Sequence, residues 1–150
     1  MDWRSNGNLC CRDGEADCKF GAKESKAAGI LGSWPAFLKQ TNQLVGAMLM
    51  KPLPDGEGDF TEEIEVGWHL AQAHWGNGYA TEGGQKMLDL GFSIQNLQQI
   101  YAVTGLENQK SQSVACRLGM KPQGRTDKYY GQAVDLFKIT LDEWSAMRGE

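Results

Sequence analysis

The chain has no run of Lys or Arg and no long apolar stretch. Its 15 basic and 19 acidic side chains give a formal net charge of −4, which is unlike a protein that follows a phosphate backbone. No segment approaches the roughly 18 apolar residues of a membrane-spanning helix, and the first residues lack the apolar core of a signal peptide. We therefore expect no nucleic-acid partner, no membrane association and a cytoplasmic location.

Cysteine is scarce and poorly spaced for a metal. The four cysteines are Cys10, Cys11, Cys18 and Cys116. Zinc would need a further ligand such as His69 or His74, and two adjacent cysteines lack the spacing that tetrahedral coordination requires. We expect reduced thiols and no metal. Cys116 lacks the partners of an activated thiolate, so it is predicted to lie in the core.

A chain of 150 residues is expected to form one domain with a core that needs no disulfide or metal. Residues 1–34 show no sustained period and contain scattered glycines, so they are predicted to be partly irregular or mobile. Residues 35–145 carry regular patterns. The single domain therefore has an atypical N-terminal segment and a recognisable remainder.

Apolar periodicity predicts the element order β-β-β-α-β-α-β-β, an α/β or α+β sheet with helices over it. Gly83 and Gly84 in the first helix indicate a close approach to the sheet, and Gly119 is predicted to end the second helix. The predicted strands are 36–39, 44–50, 62–70, 99–104, 121–128 and 134–140. The first predicted helix runs from near Gly78 to near Phe92. The second begins near Asn108 or Ser111 and ends near Leu118.

The most informative segment is a G-x-G turn, Gly76-Asn77-Gly78, placed between a predicted strand and a predicted helix. Glycines allow the backbone to bend there, and the first N–H groups of the helix lack intrahelical partners. Such a turn binds a phosphate or pyrophosphate. An ordinary glycine loop or helix cap is the alternative, because a lone G-x-G is a weak signal.

Several motifs occur together in one order along the chain. They are Ile64-Glu65-Val66-Gly67-Trp68-His69-Leu70, Trp75-Gly76-Asn77-Gly78-Tyr79-Ala80-Thr81-Glu82, Asn108-x-x-Ser111, Arg117-Leu118-Gly119-Met120, Val134-Asp135 and Ile139-Thr140-Leu141-Asp142-Glu143-Trp144. In this order they resemble the GNAT N-acetyltransferases, in particular the branch that acetylates ribosomal-protein N-termini. The resemblance implies the GNAT fold, with a mostly antiparallel twisted sheet that splays between its fourth and fifth strands and helices on both faces, although the N-terminal strand and helices are reduced here.

The resemblance implies acetyl-CoA as the cosubstrate and no metal. Ser111 would give a proton to the leaving thiolate, because Ala115 stands where many GNAT enzymes have a tyrosine. Ser111 and Asn108 are equally interpretable as helix caps. The residues expected to contact acetyl-CoA are Leu70, Trp75, Gly76, Asn77, Gly78, Tyr79, Ala80, Asn108 and Ser111.

Glu65 is the first candidate for the base that deprotonates the acceptor amine, and His69 is the second. Strand parity places both on the face opposite Val66. The alternative is that both are solvated strand residues. A backbone N–H near Leu70 is expected to bind the oxyanion, since the sheet must splay there to admit the pantetheine arm.

Three functions stay open on the sequence. The favoured one is an N-acetyltransferase that moves an acetyl group to a primary amine, either a small molecule or a peptide α-amine, by direct attack in a ternary complex. The others are a CoA-binding regulatory module with weak or no catalysis, and a protein–protein module that keeps the scaffold. The sheet edge left by a shortened N-terminus would favour a homodimer.

Overall fold

The computed structural model describes residues 32–149 and the backbone of two short strands before them. The prediction that residues 1–34 are irregular or mobile therefore falls largely outside the described residues. The elements are β1 (Trp3–Arg4), β2 (Leu9–Cys11), β3 (Gly32–Leu38), β4 (Leu44–Pro54), β5 (Phe60–Leu70), a 3₁₀ turn (Gln72–His74), α1 (Tyr79–Ser93), β6 (Gln99–Thr104), α2 (Gln109–Arg117), β7 (Lys121–Thr126), β8 (Val134–Thr140) and α3 (Leu141–Met147).

The strands of the described residues form one sheet in the order β1-β2-β3-β4-β5-β6-β8-β7. The pairs are antiparallel apart from β5 and β6, which are parallel and share a single register pair, Glu65 with Tyr101. Beyond that pair β5 runs on to Leu70 and β6 to Thr104. The mixed, mostly antiparallel sheet and its predicted splay are therefore confirmed.

The core lies between the sheet and α1. Met50 pairs with Val66 across β4 and β5, and both side chains are buried. The close approach predicted at the two helix glycines is confirmed: a Cβ at Gly83 would lie 2.6 Å from Met48 Sδ, and one at Gly84 would lie 2.7 Å from Leu118 Cδ1. Because interiors are close-packed, these glycines fix the depth at which α1 sits on the sheet.

The other helices pack against α1. Leu118, just after α2, contacts α1 at Gly84, and Trp144 of α3 stacks on Phe92 with ring centroids 5.2 Å apart. The three helices of the described residues contribute to one core on the same face of the sheet, and the helices that the resemblance implies for the opposite face are not among the residues that the structure describes. No helix within the described ranges has the length and apolar character needed to cross a membrane.

Three features differ from the sequence-based expectations. Two short strands, β1 and β2, lie within the segment expected to be irregular. Helix α3 was not predicted, although Thr140 and Glu143 form a capping box, in which Glu143 N–H donates to Thr140 Oγ1 at 3.3 Å. The prediction that Cys116 lies in the core is wrong, because α2 buries Val114 and Ala115 and leaves Cys116 exposed.

Substitution of Gly46 tests the register at the end of β5. An added Cβ would overlap the carbonyl oxygen of His69 and lie 2.8 Å from Leu70 Cα. We expect Gly46→Ala to lower the free energy of unfolding by about 1–3 kcal/mol in a urea titration, since overpacking against backbone cannot relax by side-chain motion. In the control Gly56→Ala, the new Cβ meets its nearest neighbour at 3.6 Å, and a change within about 0.5 kcal/mol is expected. Equal stability of the two variants would contradict the packing described here.

Candidate active site

The turn before α1 presents unpaired backbone donors. Gly76 and Gly78 have φ of 81° and 77°, in the left-handed region. Gly78 is the N-cap of α1 without a side-chain cap, and the first helical bond runs from Glu82 N–H to Gly78 O at 3.0 Å. The N–H groups of Tyr79 and Ala80 therefore precede the intrahelical ladder. A Cβ built at either glycine meets nothing within 4 Å, so there is open space where a phosphate would approach.

Side chains on both sides hold this turn in place. The Trp75 indole N–H donates to Leu70 O at 2.9 Å, and Asn77 Nδ2 donates to His74 O at 3.2 Å. Lys110 Nζ lies 4.4 Å from the centre of the Trp75 ring. Lys110 thus brings a positive charge close to the turn. The sequence analysis missed Lys110, because its proximity to Trp75 depends on how α2 packs.

The end of β5 leaves one backbone donor facing the splay. Ala71 N–H bonds Val45 O at 2.9 Å, and His69 O lies against Gly46. Both groups therefore face β4. Because backbone groups of successive strand residues point in alternate directions, the Leu70 N–H faces away from β4, toward the gap beside β6.

The first turn of α2 lies near the other side of this gap. Asn108 Oδ1 accepts a hydrogen bond from Ser111 N–H at 3.2 Å, so Asn108 is an N-cap, as its alternative interpretation held. Ser111 is half-buried, and its hydroxyl makes no hydrogen bond with another described residue. Ala115, further along α2, is fully buried. At the end of β6, the Thr104 hydroxyl is buried without a partner in the described part of the chain.

Glu65 is buried in the sheet at the single pairing of β5 with β6. Its side chain is on the face opposite Val66, as strand parity predicted, and the residue is only 3% exposed. Tyr130 Oη donates to Glu65 Oε1, and Lys51 Nζ lies 3.6 Å from the same oxygen. Burial raises the pKa of Glu65 above its usual value of 4.5, against the opposing effects of Tyr130 and Lys51. Glu65 is thus not a solvated strand residue, whereas His69 is exposed.

Tyr130 reaches Glu65 from the loop between β7 and β8, which the sequence analysis did not connect with the site. Its φ is +60°, a conformation that costs a non-glycine residue on the order of 1–3 kcal/mol. The Tyr130 N–H donates to Pro54 O at 3.1 Å. Tyr130 is 37% exposed, and the partial burial of its phenol together with the neighbouring Glu65 carboxylate raises its pKa far above the ordinary value. The phenol therefore stays protonated and able to donate.

The sequence and the fold match known proteins. The profile of the acetyltransferase (GNAT) domain matches residues 3–121. An uncharacterized N-acetyltransferase, p20, from Bacillus licheniformis is 29% identical over 116 residues, which are 75% of this chain and 63% of that protein. The uncharacterized N-acetyltransferase YnaD from Bacillus subtilis is 32% identical over 142 residues, 87% of this chain and 76% of that protein. The chain belongs to the GNAT acetyltransferase family.

The structural similarity extends to the branch that the motifs resembled. The crystal structure of ribosomal-protein-S5-alanine acetyltransferase from Vibrio fischeri aligns with a TM-score of 0.62 at 20% identity, over 77% of this chain and 64% of that one. At this identity the match shows the fold alone. The chain spans 63%, 60% and 55% of the lengths of three curated relatives.

The raised pKa of Glu65 predicts a specific dependence of stability on pH. The folded state holds the Glu65 proton more tightly than the unfolded state does. The stability this provides is complete below the unfolded pKa of 4.5 and is lost as pH rises through the folded pKa. Relative to Glu65→Gln, the wild-type melting temperature should therefore fall as the pH increases over this range.

Glu63→Gln is a matched control of opposite sign. Hydrogen bonds from Thr61 and Lys128 lower the pKa of Glu63, so that carboxylate adds stability that is present above pH 4.5 and is lost as pH falls through its folded pKa. Relative to Glu63→Gln, the wild-type melting temperature should thus rise with pH. A rise relative to Glu65→Gln as well would contradict the assignment of Glu65 as a carboxyl with a raised pKa.

Proposed function

We propose that this protein is an acetyl-CoA-dependent N-acetyltransferase that moves an acetyl group to a primary amine by direct attack in a ternary complex. The observation that carries the proposal is the alignment of three features along one gap in the sheet. These are the open glycine turn before α1, the parting of β5 and β6, and the buried carboxylate of Glu65 at the point where they part. Family membership and the N-acetyltransferase names of the relatives support the same reaction class.

The glycine turn suits the pyrophosphate of acetyl-CoA. Its uncapped N–H groups at residues 79–80 carry the positive end of the α1 dipole, and Lys110 adds a charge nearby. The pantetheine arm would then lie in the gap between β5 and β6, with the Leu70 N–H, the Asn108 amide and the Thr104 hydroxyl within its course. An unpartnered buried hydroxyl at this place is explained if a ligand supplies its partner.

Glu65 supplies the base in this proposal. An amine attacks only when neutral, and a base is most effective when its pKa lies near the working pH. A buried carboxyl whose pKa is raised approaches that condition more closely than a solvated one. Glu65 takes the proton as the amine nitrogen bonds to the acetyl carbon, and the Leu70 N–H donates to the oxyanion.

Ser111 completes the transfer. When the carbon–sulfur bond breaks, the electron pair goes to sulfur, the Ser111 hydroxyl gives its proton to the thiolate, and a solvent proton returns to the serine oxygen. Its place in the first turn of α2 also puts the developing negative charge near the positive end of that helix. The hydroxyl has no competing bond among the described residues, which leaves it available for this role.

The acceptor is a small-molecule amine or a peptide α-amine, and assembly as a homodimer is part of the same proposal. The second candidate function is a CoA-binding module with weak or no catalysis. It is favoured by Ala115, which is buried and supplies no phenol at the position where the resemblance places a tyrosine in many GNAT enzymes. An assay of CoA release against a panel of amines separates the two functions, because both bind CoA and only one turns over.

Gly78→Val is expected to abolish acetyl-CoA binding while the fold is retained. A β-branched residue is strained at a φ of 77° and fills the open space in front of the turn. Isothermal titration calorimetry should show the loss, and circular dichroism should be unchanged. Gly58→Val is the matched control, because Gly58 also has a positive φ, 87°, and open space but lies in the loop after β4. Wild-type affinity in Gly78→Val would remove the proposed cosubstrate site.

We expect each of the substitutions Ser111→Ala and Glu65→Gln to lower kcat by about 10²–10⁴-fold and to leave the affinity for acetyl-CoA close to normal. The reason is that each removes a side chain that transfers a proton in the transition state. The Glu65→Gln deficit should shrink as pH rises and more amine is neutral, whereas the Ser111→Ala deficit should persist. Stopped assays of CoA release over a pH series measure both. Wild-type turnover in Ser111→Ala would end its assignment. A pH-independent loss in Glu65→Gln would mean that Glu65 positions groups without acting as a base.

A further inference from the structure

We propose that Tyr130 is a positioning residue that holds the Glu65 carboxylate charged and oriented within the sheet, so that the β7–β8 loop sets the pH at which the site becomes active. The consequence for turnover rests on the proposed function. The positioning itself rests only on the contacts around Glu65.

The contacts join three distant parts of the chain at one oxygen. Glu65 Oε1 accepts from the Tyr130 hydroxyl and lies 3.6 Å from Lys51 Nζ, and Lys51 in turn lies 5.2 Å from the centre of the Tyr130 ring. A carboxylate that is only 3% exposed needs such partners, because burial without them favours the neutral acid. Among the described residues, Tyr130 supplies the one hydrogen bond to Glu65 from an uncharged donor.

The backbone of the loop is organised around this bond. Tyr130 keeps a left-handed φ of +60°, and its N–H bonds Pro54 O at the end of β4. The neighbouring Tyr129 is buried, and its backbone forms an isolated antiparallel β-bridge with Asp55. The strained conformation is therefore fixed from both sides, and it directs the phenol at Glu65. A strained residue that the surroundings hold in place is the pattern expected of a site that is built for function.

Other ionisable groups near Glu65 in the described residues do not replace this bond. Tyr101, its register partner in β6, has a pKa raised by burial, so it is neutral over the relevant range. Glu63, on the same strand face, is paired with Lys128 at 3.0 Å. Lys51 also lowers the pKa of Glu65, by effects each smaller than that of the Tyr130 hydrogen bond, and its side chain is partly exposed, so water screens its charge. The ionisable groups on this face of the elements packed there include Lys51 of β4, Glu63 and His69 of β5, Tyr101 of β6, Lys138 of β8, Lys121 of β7, and Lys128, Tyr129 and Tyr130 of the loop.

Direct titration of Glu65 tests the positioning without any need for activity. In protein labelled with ¹³C at the glutamate Cδ, the Glu65 signal is identified by its absence in Glu65→Gln. In Tyr130→Phe the midpoint of this signal should move to higher pH, because the charged form loses its hydrogen bond. Tyr129→Phe, which removes the adjacent phenol hydroxyl, should leave the midpoint in place. An unchanged midpoint in Tyr130→Phe, or an equal shift in both variants, would overturn the proposal.

Kinetics then separate this inference from the proposed function. With an amine that the enzyme accepts, the acid limb of the kcat/KM pH profile should shift to higher pH in Tyr130→Phe, by the same amount as the ¹³C midpoint. The rate should therefore fall several-fold at low pH and recover at high pH. A shifted midpoint without a shifted acid limb would support the positioning and contradict Glu65 as the base. An equal loss of rate at every pH, with no shift of the midpoint, would contradict the positioning and leave the proposed base untouched.

Discussion

The parting of β5 and β6 after a single register pair is the constraint on which the candidate site depends. If the two parallel strands stayed hydrogen-bonded along their whole length, their backbone N–H and C=O groups would pair with each other and leave no room for the pantetheine arm of a ligand. Because the two strands separate beyond Glu65, the Leu70 N–H and the end of β6 face a gap instead of each other. The glycine turn and the first turn of α2 follow directly from the two strand ends, so both helices begin at this gap.

Burial of Glu65 at the same point carries an energetic consequence. A charged group in a sheet interior is unfavourable unless it is paired and hydrogen-bonded, and here the partners come from β4 and from the loop between β7 and β8. The chemistry of the proposed base is therefore connected to the far edge of the sheet. On the proposed mechanism, this connection gives a loop that is remote in sequence an influence over proton transfer.

The local features could be predicted from the sequence, whereas the contacts between distant segments could not. The G-x-G turn, the strand with alternating Val66 and Glu65, and the glycine that ends α2 each follow from the properties of a few adjacent residues. The capping box of α3 was equally local and was missed although its signature is present. Tyr130 and Lys110 are different, because each meets its partner only after the sheet has formed, and a lone tyrosine or lysine in a loop or helix carries no sign of this.

The most direct test of the account is to map where CoA binds, by amide hydrogen exchange followed residue by residue in NMR. With saturating CoA, exchange should slow at the N–H groups of residues 79–80 and at Leu70, since those donors gain a ligand or lose access to water. The amides of the β7–β8 loop should change little, because Tyr130 acts through Glu65 and not through the cosubstrate. Slowed exchange confined to that loop, with the turn and Leu70 unaffected, would contradict the placement of acetyl-CoA in the gap between β5 and β6.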